Sequence, residues 1–143
     1  MKKDKEIIPR SDCPISFTLD FLGDKWTILI LRDMMFSGKV SYGEFLQSDE
    51  GIATNILADR LSLLEKNDFV IKSISAENKS KFIYNLTDKG IALLPIVIEM
   101  MVWGSKFNPA GGNTDLLKLL KSDKEKTIKE FTKMLKKRIV SNA

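Results

Sequence analysis

Between Ser41 and Leu86 the sequence sets out a short helix, a turn, a longer amphipathic helix and a hairpin, in that order. Residues 41–47 keep Tyr42, Phe45 and Leu46 on one side, with Ser41 placed to cap a short helix. Ser48-Asp49-Glu50-Gly51 is turn chemistry. Over Thr54–Lys66, Leu57, Leu61 and Leu64 fall at i, i+4 and i+7, and Ile56 and Leu63 widen the stripe. Asn55, Asp59 and Ser62 take the opposite face, Arg60 sits at its edge, and Asn67-Asp68 ends the helix. The segments 69–74 and 82–86 are rich in β-branched and aromatic residues and read as strands around a tip at 76–80. This order is the minimum apparatus for laying one helix in a DNA major groove while a hairpin touches the flanking backbone.

Composition excludes most alternatives. The 143 residues suit one domain, with hydrophobic (43%) and charged (29%) fractions ordinary for a soluble globular protein. Histidine is absent, which removes Ser-His-Asp and Cys-His nucleophile pairs and His-based zinc or iron sites. The single cysteine makes no Cys cluster and no internal disulfide. A lysine- or carboxylate-based enzyme has no supporting constellation, so the reading is not an enzyme, with no metal and no cofactor. The basic Met1-Lys2-Lys3 start is followed by Asp4, Glu6 and Asp20, so no signal-peptide core follows. The most apolar window, residues 91–103, is interrupted by Pro95 and Glu99 and reads as too short for a bilayer. The expected place is the cytoplasm, with no membrane partner. The net charge of +4 resolves into +5 over residues 114–143 and −1 over residues 1–113, so the excess is all in the tail. What counts for DNA is therefore where individual charges sit.

The flanks give the rest of the organisation. Residues 1–12 read as a flexible N-terminal segment. Cys13-Pro14 opens a helix with Cys13 as N-cap, and Asp24 caps a second helix, nearly all apolar, which belongs at the centre of the core. Thr87 caps the helix after the hairpin, and Pro95 is expected to kink that helix without ending it, because the apolar run continues to Trp103. Residues 108–113 form a Pro/Gly-rich linker, and two amphipathic pieces follow, at 114–120 and 123–140. Ile128, Phe131, Leu135 and Ile139 mark one face of the second piece, expected to pack on a dimer and leave its lysines in solvent.

At this point the residues resemble the HxlR-type winged helix-turn-helix transcriptional regulators of bacteria. The shared pieces are Cys13-Pro14-Ile15, Gly23-Asp24-Lys25-Trp26, Leu29-Ile30-Leu31-Arg32, Phe45, Gly51-Ile52 and residues 57–65. They continue through Tyr84-Asn85-Leu86-Thr87-Asp88-Lys89-Gly90, Leu94-Pro95 and Trp103-Gly104. The likeness runs from about residue 13 to 104. It implies a mainly α (α+β) fold, a winged helix-turn-helix with a two-strand β-wing, here followed by a C-terminal helical extension. It implies a DNA-binding and dimerisation domain over residues 13–107, with 108–143 as linker and extension. It also implies a homodimer on a double-stranded DNA operator, with the helix from Thr54 as reader and the first and last helices of the domain at the interface. Two features depart from the family: Lys81-Phe82-Ile83 precede Tyr84 where prolines and an acidic residue are usual, and the chain beyond residue 113 exceeds the family core.

The candidate contacts follow from residue type. The leading end of the reader (Ala53, Thr54, Asn55, Ala58, Asp59) is small and polar, which lets a backbone approach bases closely. Asparagine can bond adenine and aspartate can accept from cytosine N4. Asp59 repels phosphate, so it reads a base or pairs with Arg60. Ser41, Tyr42 and Arg60 are candidates for phosphate contacts that set register. Lys79 and Lys81 flank the hairpin tip within reach of backbone phosphate or a minor groove, although lysines are common on solvated hairpins. Cys13 is the redox candidate: a cysteine at the positive end of a helix macrodipole gains reactivity, and the resembled family includes members that sense oxidants or quinones there. Its alternative is a small capping residue. Met34, Met35, Met100 and Met101, with Trp26 and Trp103, suit core and dimer packing better than an effector pocket. The competing function is a winged-helix module that binds protein and has no DNA role.

Overall fold

The central helix forms where the sequence is apolar on most sides. Helix α2 (Lys25–Phe36) follows α1 (Pro14–Leu22), and Asp24 caps it by accepting from the Thr27 N–H at 3.0 Å. Ile30, Leu31, Met34 and Met35 of α2 are buried, as its all-round apolar pattern requires. Asp33 on the same helix is buried as well, at 4% exposure, which no apolar periodicity announces. The computed structural model describes residues 7–108, 110–111 and 114–142, with side chains described to residue 138. Of the N-terminal segment expected to be flexible, residues 1–6 lie outside the described residues; the Arg10 N–H donates to Asp20 Oδ2 at 3.2 Å.

Helices α3 (Tyr42–Leu46) and α4 (Thr54–Lys66) precede strands β1 (Val70–Ile74) and β2 (Phe82–Leu86), within a residue or so of the expected bounds. The leucine stripe does its expected work: Leu57, Leu61 and Leu64 are buried against the core with Phe45. Gly51 adopts φ +69 in the turn ahead of α4, the left-handed conformation that glycine takes without a Cβ clash. At the far end of α4, Asp68 (φ 64) is left-handed, and the Phe69 N–H reaches back to the Leu64 carbonyl at 2.9 Å. That closure buries Phe69 and turns the chain into β1. The strands pair antiparallel from Val70↔Leu86 to Ile74↔Phe82. The Tyr84 N–H donates to the Val40 carbonyl at 2.7 Å, which ties the hairpin to the segment entering α3.

After the hairpin the structure departs from one expectation. Helix α5 (Asp88–Ile91) ends before Ala92, and α6 (Leu94–Phe107) restarts with Pro95 in its first turn. Pro95 therefore separates two helices where a kinked single helix was expected. Proline has no N–H to donate, and a helix start is where that loss is tolerated. Thr87 caps α5 by accepting from the Gly90 N–H at 3.1 Å, and a Cβ on Gly90 would lie 2.3 Å from the Phe69 carbonyl oxygen. By length and composition alone the segment Asp88–Phe107 is apolar enough to cross a bilayer, a test that the core helix of a globular fold also passes. In the fold, one side of that segment (Ile91, Leu94, Val97, Ile98) is buried in the core.

Helices α7 (Thr114–Ser122) and α8 (Lys124–Asn142) complete the chain. Their apolar residues join the protein's own core: Leu116, Leu120 and Leu135 are buried in it, and Phe131 packs on Phe36 with ring centroids 5.3 Å apart. This corrects the expectation that Phe131 and Leu135 pack on a second copy. The side chain of Ile139, assigned to the same face, lies outside the described residues, as do Pro109, Gly112 and Asn113 of the linker. Arg138 Nη1 donates to the carbonyls of Met34 (3.3 Å) and Met35 (3.1 Å), fastening α8 to the C-terminal end of α2. There its charge also complements the negative end of the α2 dipole.

Candidate nucleic-acid interface

Helix phase decides which side of α4 remains accessible. With Leu57, Leu61 and Leu64 facing inward, Thr54, Asn55, Ala58 and Asp59 are turned outward and exposed. No side chain caps α4, whose N-cap is Ala53. The first-turn N–H groups of this 13-residue helix therefore sit at its positive end without a side-chain acceptor. Small outward residues and uncapped amides at one end together form a surface that a phosphate backbone and base edges can approach closely.

Three side chains expected to touch phosphate are occupied within the protein. Ser41 is 2% exposed, and its hydroxyl donates to Glu44 Oε1 at 2.7 Å in a capping box at the start of α3. Tyr42 donates its hydroxyl to the Thr54 carbonyl at 2.9 Å, so it bridges α3 to the start of α4 and has no second proton for phosphate. Arg60 donates from Nε to Asp24 Oδ2 at 2.8 Å and from Nη2 to Asp24 Oδ1 at 3.3 Å, and it also pairs with Asp59. Tyr42 and Arg60 thus hold α4 in place, and Ser41 closes the start of α3. The Arg60 hydrogen bonds hold the Asp24 carboxyl below its ordinary range, so the clamp is charged at neutral pH. Asp59 takes the pairing foreseen for it, which compensates the one negative charge at the leading end.

A second network, invisible to local sequence patterns, holds the turn between α3 and α4. Buried Asp33 accepts from Arg32 at 2.7 and 3.0 Å and from the Ser48 hydroxyl, while Lys39 lies 3.5 Å away. Arg32 also donates two hydrogen bonds of 2.8 Å to Glu50. Those bonds push the Glu50 carboxyl down to about 2. The turn preceding α4 is thus pinned to α2 at both ends, by the Ser48 hydroxyl donating to Asp33 and by the Arg32–Glu50 ion pair.

The hairpin tip is closed by backbone bonds from Ser75 N–H to Lys81 O (2.8 Å) and from Lys81 N–H to Asn78 O (2.9 Å). Lys79 and Lys81 are exposed there, as expected. Lys72 extends over the ring of Phe82, 4.1 Å from its centroid, so aromatic surface lies among the hairpin lysines. Cys13 is exposed at the N-cap of α1 and makes no side-chain cap hydrogen bond there. Met34 and Met35 are core residues, while Met100 and Met101 border a cleft of about 410 Å³ with Ile28, Leu29 and Phe36. Among the described residues no group of three His, Cys, Asp or Glu side chains is placed to hold a metal.

The HxlR-like helix-turn-helix family model matches residues 21–111, nearly all of the unit just described. The chain belongs to this family. The helix-turn-helix transcriptional regulator YybR of Bacillus subtilis is 32% identical over 124 residues, covering 86% of this chain and 94% of YybR. The redox regulator HypR in its reduced form has a TM-score of 0.59 at 33% identity, over 66% of this chain and 92% of HypR. The reduced form of the transcriptional regulator YodB of Bacillus subtilis has a TM-score of 0.55 at 31% identity, over 71% of this chain and all of YodB. YodB has also been solved with quinone bound. This HxlR-like protein is a DNA-binding transcriptional regulator with a winged helix-turn-helix fold. The matched segment stops at residue 111, so α7 and α8 lie beyond it.

Proposed function

We propose that the protein binds a pseudo-palindromic operator in the cytoplasm as a homodimer, with α4 in the major groove and the hairpin on the flanking backbone. The observation that carries this reading is the exposed, uncapped and small-residue leading end of α4. Thr54 and Asn55 read base edges, Lys79 and Lys81 hold phosphate, Asp59 is neutralised by Arg60, and Ser41, Tyr42 and Arg60 position the reader. The dimer is supported by apolar side chains that one chain leaves in solvent: Ile15, Phe17 and Leu19 on α1, and Met100, Trp103 and Phe107 on α6. A second copy covering both helices sets the two readers about 34–36 Å apart, one helical turn of DNA.

Replacing Lys81 by alanine removes about one phosphate contact per protomer, so the slope of log affinity against log salt for the dimer becomes shallower by about 1.8. A fluorescence anisotropy titration across a salt series measures this, and an unchanged slope takes the hairpin out of the interface. Exposed Cys13 is the site at which oxidant or quinone acts, as the likeness to HypR and YodB suggests. Addition of a quinone, or loss of two electrons from a pair of Cys13 thiols to an oxidant such as diamide, is expected to weaken operator binding. Cys13→Ser is expected to abolish that response and preserve basal binding; a variant that still responds like the parent removes Cys13 from the mechanism.

A further inference from the structure

The positive charge of this chain lies outside the unit that reads DNA. Residues 114–143 carry +5 and residues 1–113 carry −1, so the winged unit alone has little long-range attraction for a polyanion. The fold brings the missing charge alongside. Arg138 binds the carbonyls of Met34 and Met35, and Leu135 and Arg138 share a crevice with Gly38, Lys39, Val40, Tyr84 and Asn85. Gly38 to Val40 lead into α3, and Tyr84 and Asn85 form the root of the hairpin. The C-terminal end of α8 therefore sits beside the segment entering α3 and the root of the hairpin whose tip carries Lys79 and Lys81. With Thr127, Phe131 and Leu135 facing the body, Lys126, Lys129, Lys133 and Lys136 are exposed on the outward face, with Glu130 among them.

We propose that the C-terminal part of α8 is a second, sequence-independent grip on duplex DNA, in which Lys133 and Lys136 hold phosphates flanking the operator segment beneath the hairpin. Lysine suits that role: its ammonium is a compact charge on a flexible stem, able to follow a backbone without reading bases. The grip lengthens the footprint outward from each half-site and contributes equally to specific and non-specific binding. It rests on the proposed DNA reading of α4.

The test is an anisotropy salt series on operator and on unrelated duplex DNA with Lys133→Gln/Lys136→Gln. Both residues are exposed, so the fold is expected to survive, as circular dichroism will report. With two lysines lost from each protomer of the dimer, the slope is expected to become shallower by about 3.6, and affinity for both DNAs to fall roughly 4000-fold at 0.1 M monovalent salt. Lys118→Gln/Lys121→Gln, an equal charge loss on α7, is expected to leave the slope unchanged. An unchanged slope in the α8 pair overturns the proposal, including the case where that face proves to bind an acidic protein. Equal flattening by the α7 pair also overturns it, since net charge alone is then responsible. A parent that binds no duplex DNA sinks the underlying reading, whereas a parent that binds with an unaltered α8 slope sinks only the grip.

Discussion

Asp33→Ala is expected to destabilise the domain by about 3–5 kcal/mol in urea unfolding, the range for removing one partner of a buried ionic cluster. The carboxylate is buried and receives Arg32, Ser48 and, at 3.5 Å, Lys39, so its loss leaves those donors around a small void. The damage is directional. Ser48 and Glu50 belong to the turn before α4, so that turn loosens from α2 first, while the Arg60–Asp24 clamp still ties α4 itself to the start of α2. Acid should act on the same place. Glu50, held at about 2 from an ordinary 4.5 chiefly by the Arg32 hydrogen bonds, has a depressed folded value. Its contribution is therefore complete above pH 4.5 and disappears as the pH falls toward 2. A stability change below 1 kcal/mol for Asp33→Ala would show that the turn is held by packing alone.

Leu135→Ala is expected to cost about 2–5 kcal/mol, as a leucine truncated in a close-packed interior does. At 2% exposure its side chain lies among Met34, Leu86 and the α2–α3 segment. This makes α8 part of the folding unit, although it lies beyond the family match at residue 111. Thermal unfolding should remain a single transition with a lowered midpoint. A change within about 0.5 kcal/mol, the range of an ordinary surface substitution, would show α8 to be loosely appended.

Helix α4 and the hairpin were legible because their signals are local. A leucine every third or fourth residue fixes the phase of α4, and phase alone turns Thr54 and Asn55 outward. The cap at Thr87 follows in the same way. What sequence could not supply were partners set by tertiary proximity. Arg60 meets Asp24 across 36 positions and Arg32 meets Glu50 across 18, so both arginines look available until the chain folds. Tyr42 was likewise taken by the Thr54 carbonyl, 12 positions on, whereas the Ser41 cap on Glu44, three residues away, is a local feature. Pro95 misled because the apolar run continues past it, while hydrogen bonding ahead of it tightens from Leu93 N–H to Gly90 O at 3.1 Å and one helix closes.

The most direct test measures operator affinity by fluorescence anisotropy on duplexes from upstream of the protein's own and neighbouring genes, comparing the parent with Asn55→Ala. Asn55 is exposed on α4, so circular dichroism should be unchanged. The predicted result is a loss of about 1–3 kcal/mol, roughly 5- to 150-fold, for the operator and none for unrelated DNA. A variant that binds the operator as tightly as the parent, with Thr54→Ala behaving likewise, would contradict the assignment of α4 as the reader.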